Sequence, residues 1–356
     1  MATVGSYAAF VRAGFLAAIC SLAAAPAIAQ QLELYPAQGE AGSGIAPKPF
    51  LAACLNPDSW SETRRSTSFL GVADFALATY ADAHPREVAA CFRNMNEAGL
   101  GLSLGTAAIK QWCTTGQSCF DGLSQLWNRL IALGADLAVL EIDEPLTMVL
   151  GHPEWPLARD FDYAVEQTAE FIRLVRQHYP RVQIVEQEAY PALSAETLRS
   201  WVRSLAKACA ARGVRRPDYF EIDHNWATPF GTGIEQWNWS DIRSVLSETH
   251  AAGMGFGVIF WRASPRYGDT DDGWYHGVMD QGAWYQAEGI VPDLYSILSW
   301  LTVPVRTVPD LMYASSFMGT ARTFVATGRF PVLPPDPVRK TRGGTEASVC
   351  PPKGCK

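Results

Sequence analysis

Between residues 66 and 330 the sequence repeatedly alternates short apolar runs with amphipathic stretches, and three of those runs end in acids. Together these features predict an α/β fold in one domain, a (β/α)8 TIM barrel. The clearest run, residues 136–145, reads Asp-Leu-Ala-Val-Leu-Glu-Ile-Asp-Glu-Pro. An apolar stretch that turns polar and is closed by proline is the mark of a buried parallel strand whose C-terminal end opens onto a polar site. Residues 181–191 and 218–226 repeat the pattern, with Glu186 and Glu188 on one and Glu221 and Asp223 on the other. Side chains on a strand alternate faces, so each pair, like Glu141 and Asp143, shares a face. Placing all three pairs inside the barrel sets Asp143, Glu188 and Asp223 nearest its mouth, with Glu141, Glu186 and Glu221 one layer deeper.

The elements follow in order. Residues 1–29 read as a removable export signal: Arg12 is the one charged residue, an apolar stretch follows, and Ala27-Ile28-Ala29 gives a small-x-small cleavage site. Residues 30–65 are a lead-in, flexible over its Gly-, Ala- and Pro-rich first twenty residues. The first strand falls at 69–75, a helix at 86–98, the next strand at 100–104, and a helix at 123–133 leads into the central strand. Thereafter helices at 161–178, 194–211, 239–252 and 274–288 alternate with strands at 182–188, 219–223, 255–261 and 294–300. Seven or eight such units fit a barrel of about 250 residues. A doubly wound sheet is disfavoured, since no glycine-rich phosphate loop follows the early strands. Residues 331–356 read as an extended, Pro-rich tail.

Composition narrows the function. A net charge of −7 with no long basic run argues against nucleic acid and anionic membranes. Of eight cysteines, Cys20 goes with the signal. Cys113–Cys119 and Cys350–Cys355 could close local loops in an oxidising compartment, Cys54–Cys91 is possible, and Cys209 is left as the free thiol. The expected protein is a secreted or periplasmic monomer with no cofactor and no membrane span after signal removal. There are 12 Trp and 12 Tyr, several in polar contexts, among them Trp155, Tyr190, Trp226, Trp237, Trp239, Trp261, Trp274 and Tyr275. Such rings offer a flat face to sugar C–H groups and a polar edge for hydrogen bonding.

Two acids at a barrel mouth suffice for glycoside hydrolysis, one protonating the departing oxygen, the other attacking the anomeric carbon or activating water. Buried carboxyls also repel one another, and their pKa values rise unless cations or shared protons intervene. Lys110, His224, Arg262 and Arg266 are the candidate cations. Some of the seven acids serve only to hold the others.

Asp143-Glu144-Pro145 resembles the Asn-Glu-Pro turn that carries the acid/base glutamate in the large clan of retaining (β/α)8 glycoside hydrolases. The resemblance implies that Glu144 is the general acid/base and that Asp143 stands where the asparagine meets the sugar 2-hydroxyl. Trp261 and Trp300 are similar to aromatics that close strands in those enzymes. The clan's nucleophile lies three strands later, where this chain has residues 255–261 and no acid, so the second carboxyl must come from Glu188, Glu221 or Asp223. Trp226, His224, Trp261, Arg262, Tyr190 and Trp300 are the expected substrate contacts. Two other readings stay open: a metal-dependent sugar-converting barrel using Glu141, Glu186, Asp223 and His224 as ligands, and a carbohydrate-binding barrel without catalysis.

Overall fold

The computed structural model describes residues 30–36, 47–151, 160–224, 238–261, 267–299 and 302–331. Eight parallel strands close into a barrel in chain order: β1 (Gln31–Tyr35), β2 (Phe69–Ala73), β3 (Gly101–Thr106), β4 (Leu137–Asp143), β5 (Gln183–Tyr190), β6 (Tyr219–His224), β7 (Gly255–Phe260) and β8 (Leu294–Leu298), with β8 pairing back onto β1. The helices are α1 (Lys48–Leu55), α2 (Ser61–Arg64), α3 (Asp74–Ala83), α4 (Pro85–Glu97), α5 (Gly116–Ala132), α6 (Pro145–Gly151), α7 (Phe161–His178), α8 (Ala195–Ala211), α9 (Trp239–Ala251), α10 (Asp271–Ala287) and α11 (Phe317–Ala326). Among the described residues, no helix is long and apolar enough to cross a membrane.

Local chemistry sets the boundaries. Asp160 and Ser194 cap α7 and α8 by accepting the amides of Tyr163 and Thr197, each worth about 1 kcal/mol. Gly134, at φ +100°, stops α5, and the next amide, that of Ala135, returns to the Leu130 carbonyl. Helix α5 begins seven residues earlier than its apolar periodicity suggests, because Thr115 and Ser118 form a capping box.

The first strand corrects the sequence reading. Residues 30–36 are no flexible lead-in: Gln31–Tyr35 is a barrel strand, and Phe69–Ala73 is the second. Leu32 and Leu34 face the helices and are fully buried, whereas Glu33 and Tyr35 face the barrel axis, where polar neighbours await them. A polar, alternating pentapeptide looks like a surface segment unless the barrel interior is itself polar.

That interior is layered. Phe69, Val139, Val185, Tyr219 and Leu294 form an apolar plug at the N-terminal end, separate from the larger core between strands and helices. Above it lie Glu33, Ser103, Glu141, Glu221 and Ser296, all buried. Glycines make room for them: a Cβ on Gly71 would stand 2.7 Å from Glu33 Oε1, and one on Gly257 2.9 Å from Glu221 Cβ.

Two disulfides brace the shell, Cys54–Cys91 between α1 and α4 and Cys113–Cys119 in the segment after β3. Cys209 is free and buried in α8. Cys350 and Cys355, the export signal and the tail lie outside the described residues.

Candidate active site at the barrel mouth

Strand β4 delivers Asp143 and Glu144 to the C-terminal mouth. Glu144 sits at φ +45°, a conformation that costs a non-glycine residue free energy and clusters at functional sites. Its amide donates to the Gln187 carbonyl at 2.9 Å, and Pro145 at once begins α6. Asp143, 47% exposed, pairs with Lys110 Nζ at 3.0 Å. Burial, reinforced by the charge of Asp143 and opposed by that of Lys110, raises the Glu144 pKa to about 7.

Across the mouth, β6 contributes Asp223. Burial and the charges of Glu144 and Asp143 hold its pKa well above the usual carboxylate range, so three carboxyls share one electrostatic environment. Trp261, the residue after β7, donates its indole N–H to Asp223 Oδ1 at 3.0 Å and to the His224 carbonyl at 3.2 Å. Its own backbone is clamped by the buried Gln281 of α10, whose Oε1 accepts the Trp261 amide at 3.1 Å and whose Nε2 donates to the Trp261 carbonyl. Trp261 is thus a fixed donor to an acid more than an open platform. Gln281 carried no signal in the sequence, being one amide on an apolar helix face.

One layer down, Glu141 and Glu221 meet Glu33, which sequence reasoning missed with its strand. Burial, then the charge and hydrogen bond of Glu33, then Glu221, push the Glu141 pKa well up. Burial and Glu33 do the same for Glu221, and Ser296 Oγ donates to Glu221 Oε1 at 2.6 Å. Burial and mutual repulsion favour the protonated forms of Glu141 and Glu221, which with Glu33 and Ser296 make a polar floor beneath the mouth.

Strand β5 departs from expectation. Its register pairs Val185 with Glu141 and Tyr219, and Gln187 with Asp143 and Glu221, so Val185, Gln187 and Ala189 face the axis. Glu186, Glu188 and Tyr190 face the helices instead. Glu188 accepts from the amides of Leu146 and Thr147 at 2.6 and 2.9 Å and from the Thr147 hydroxyl at 2.6 Å, capping α6. Its pKa, raised by burial and lowered by those bonds, is about 7. Glu186 lies beside Glu188 and Trp201, its pKa pushed well up by burial. The Tyr190 hydroxyl donates to Asp241 Oδ2 at 3.2 Å and accepts the Asn238 amide at 3.3 Å, tying β5 to α9. His224 also points outward, to Tyr285 at 3.4 Å, and burial holds its pKa well below the usual imidazole value.

The metal set of Glu141, Glu186, Asp223 and His224 therefore does not assemble: two members face the axis and two the helices. No three His, Cys, Asp or Glu side chains among the described residues stand in a ligating arrangement. Of the other expected contacts, Trp226, Arg262 and Trp300 lie outside the described residues. Trp274 is fully buried, stacked on Phe317, and Trp239 packs on Tyr285. Trp274 offers no free face, whereas Trp239 is half-buried.

No family model and no curated protein matches the chain. Solved structures with similar architecture include a D-psicose 3-epimerase with D-fructose (11% identity, TM-score 0.47, covering 84% of this chain and 98% of that one). The catalytic domain of a hyperthermophilic chitinase from Pyrococcus furiosus (11%, 0.45, 86% and 99%) and a GH10 structure from Paenibacillus barcinonensis (12%, 0.44, 77% and 84%) are others. The substrates named for these neighbours belong to them; the barrel itself is established by the strand pairing above.

Proposed function

We propose that this chain is a secreted or periplasmic glycoside hydrolase cleaving O-glycosidic bonds of a poly- or oligosaccharide. The observation that carries the reading is Glu144, fixed at the barrel mouth with a pKa of about 7, beside an ion-paired Asp143 and within the field of Asp223. A carboxyl still protonated near neutrality is what a general acid requires. Glu144 gives its proton to the glycosidic oxygen as that bond breaks, and water supplies the hydroxyl that ends on the anomeric carbon. Asp223 is the partner, activating the water or attacking the carbon first after giving up the proton that burial and its neighbours favour, with the Trp261 N–H supporting the anion. Asp143 takes the place of the clan's asparagine at the sugar hydroxyl. The axis-facing residues of β7, Gly255, Gly257 and Ile259, include no acid, so β6 supplies the second carboxyl. The two disulfides and the signal-like residues 1–29 support export.

The test is the purified protein against polysaccharides and aryl glycosides, with and without EDTA. Hydrolysis indifferent to EDTA is expected, falling as pH rises past about 7 as Glu144 loses its proton. Glu144→Gln and Asp223→Asn should each lower kcat/KM by roughly 10²- to 10⁴-fold with near-UV circular dichroism unchanged; full activity in either variant removes that residue from the mechanism. EDTA-sensitive turnover would reassign the acids to a metal. The acid-free end of β7 favours one other reading, a barrel that binds carbohydrate without cleaving it, and silence on every substrate would select it.

A further inference from the structure

Lys110 occupies a place where a lone ammonium is costly: 3% of its side chain is exposed, and its Nζ lies 3.0 Å from Asp143 Oδ2. The segment that carries it, between β3 and α5, is fastened at every turn. Ile109, just before it, is buried at φ +56°, a left-handed conformation that a β-branched residue holds only when its surroundings over-determine it. The Ile109 amide donates to Cys119 Sγ at 3.1 Å. Lys110 and Cys113 exchange backbone hydrogen bonds at 3.1 and 3.0 Å, and Cys113 is bonded to Cys119 in the first turn of α5. From α7, the Tyr163 hydroxyl donates to the Thr114 carbonyl at 2.6 Å, and Gln167 Oε1 accepts the Gly116 amide at 3.0 Å.

We propose that Lys110 is a positioning residue of the catalytic centre and that the Cys113–Cys119 disulfide is the strut holding its ammonium against Asp143 and beside Glu144. What the centre catalyses rests on the hydrolase reading; the electrostatic claim concerns the chain's own carboxyls. The groups whose charge reaches Glu144 are Asp143, Lys110, Glu188 of β5 and Asp223 of β6; those around Asp143 are Lys110, Glu144, Asp223 and the Tyr35 phenol. Lys110 is the one cation among them. Its ion pair orients the Asp143 carboxyl, and its charge limits how far burial lifts Glu144. Without it, no cation offsets the mutual repulsion of Asp143, Glu144 and Asp223, and Asp143 loses its ion-pair partner.

The experiment is ¹³C NMR titration of side-chain carboxyls in the purified protein, with Glu144 assigned by its loss in Glu144→Gln. Lys110→Met should move the Glu144 titration upward by about one pH unit, Lys110→Arg should restore most of the wild-type midpoint, and the double variant Cys113→Ser/Cys119→Ser should shift it the same way by less. Identical Glu144 midpoints in wild type and folded Lys110→Met overturn the proposal, as does an unshifted midpoint in the double variant if Lys110→Met fails to fold. An upward shift with no turnover on any glycoside would sink the hydrolase reading and leave the role of Lys110 standing. Turnover with no shift would do the reverse.

Discussion

Glu188 shows how one carboxylate can matter to a site it does not enter. Both its oxygens are engaged by the start of α6, the helix that begins directly after Glu144, so it fixes the turn presenting the acid. Glu188→Ala leaves two buried or half-buried amides and a hydroxyl without their acceptor and should cost about 2–3 kcal/mol. Glu188→Gln keeps one acceptor oxygen and should cost less than half as much; urea unfolding of both variants decides it, and equal losses would show that the acceptors are not the cause. Lys110 is the complementary case, a charge buried for the sake of its partner.

At the scale of elements, what the sequence discloses depends on phase. Strands β4 and β6 were legible because their acids fall every second residue behind apolar positions, and Ile142 and Ile222 do face the helices. On β5 the acids also alternate, but the strand sits one residue out of step: Val185 belongs to the axial plug with Val139 and Tyr219, which turns Glu186 and Glu188 outward. Only neighbouring strands define that phase, so no local pattern could reveal it. Strand β1 was hidden for the same reason, its Glu33 and Tyr35 polar toward an axis that is itself polar. The cation Lys110 was visible as a residue, while its burial depends on a disulfide, a left-handed isoleucine and α7 together. The same segment carries Trp112, 65% exposed, at the end of the barrel where the mouth lies. Under the carbohydrate reading, Trp112→Ala should weaken polysaccharide retention in affinity gels several-fold and leave the melting temperature within about 1 °C, since so open a ring buries little area. Unchanged retention would exclude Trp112 from the binding surface.

For the molecule as a whole, the buried acids set the direction of its pH response. Asp74, Glu141, Glu186, Glu221 and Asp223 have raised pKa values, with Glu144 and Glu188 at about 7. Each binds more protons folded than unfolded between its unfolded value, about 4, and its folded one, so stability declines as pH climbs through that window. His224, with a lowered pKa, acts oppositely, its contribution being lost as pH falls below about 6.5. Seven buried carboxyls against one imidazole predict a urea midpoint lower at pH 8 than at pH 5.5, and Glu141→Gln should flatten the decline. A midpoint that rises across this range would contradict the raised pKa values of the buried acids. The Cys54–Cys91 bridge closes a loop with a sequence separation of 37, for which chain entropy gives about 4 kcal/mol; Cys54→Ser/Cys91→Ser should lose roughly that in unfolding free energy.

The barrel wall and the polar floor together set the five-residue plug apart from the larger apolar core that the helices cover. A protein built this way has a compartment that can be rewritten by itself. Trading Glu33, Glu141 and Glu221 for small or apolar residues would deepen the cup from below while the outer scaffold keeps its shape. Plug and jacket substitutions should combine additively, which makes the barrel's axis a separate unit of variation in evolution and in engineering alike.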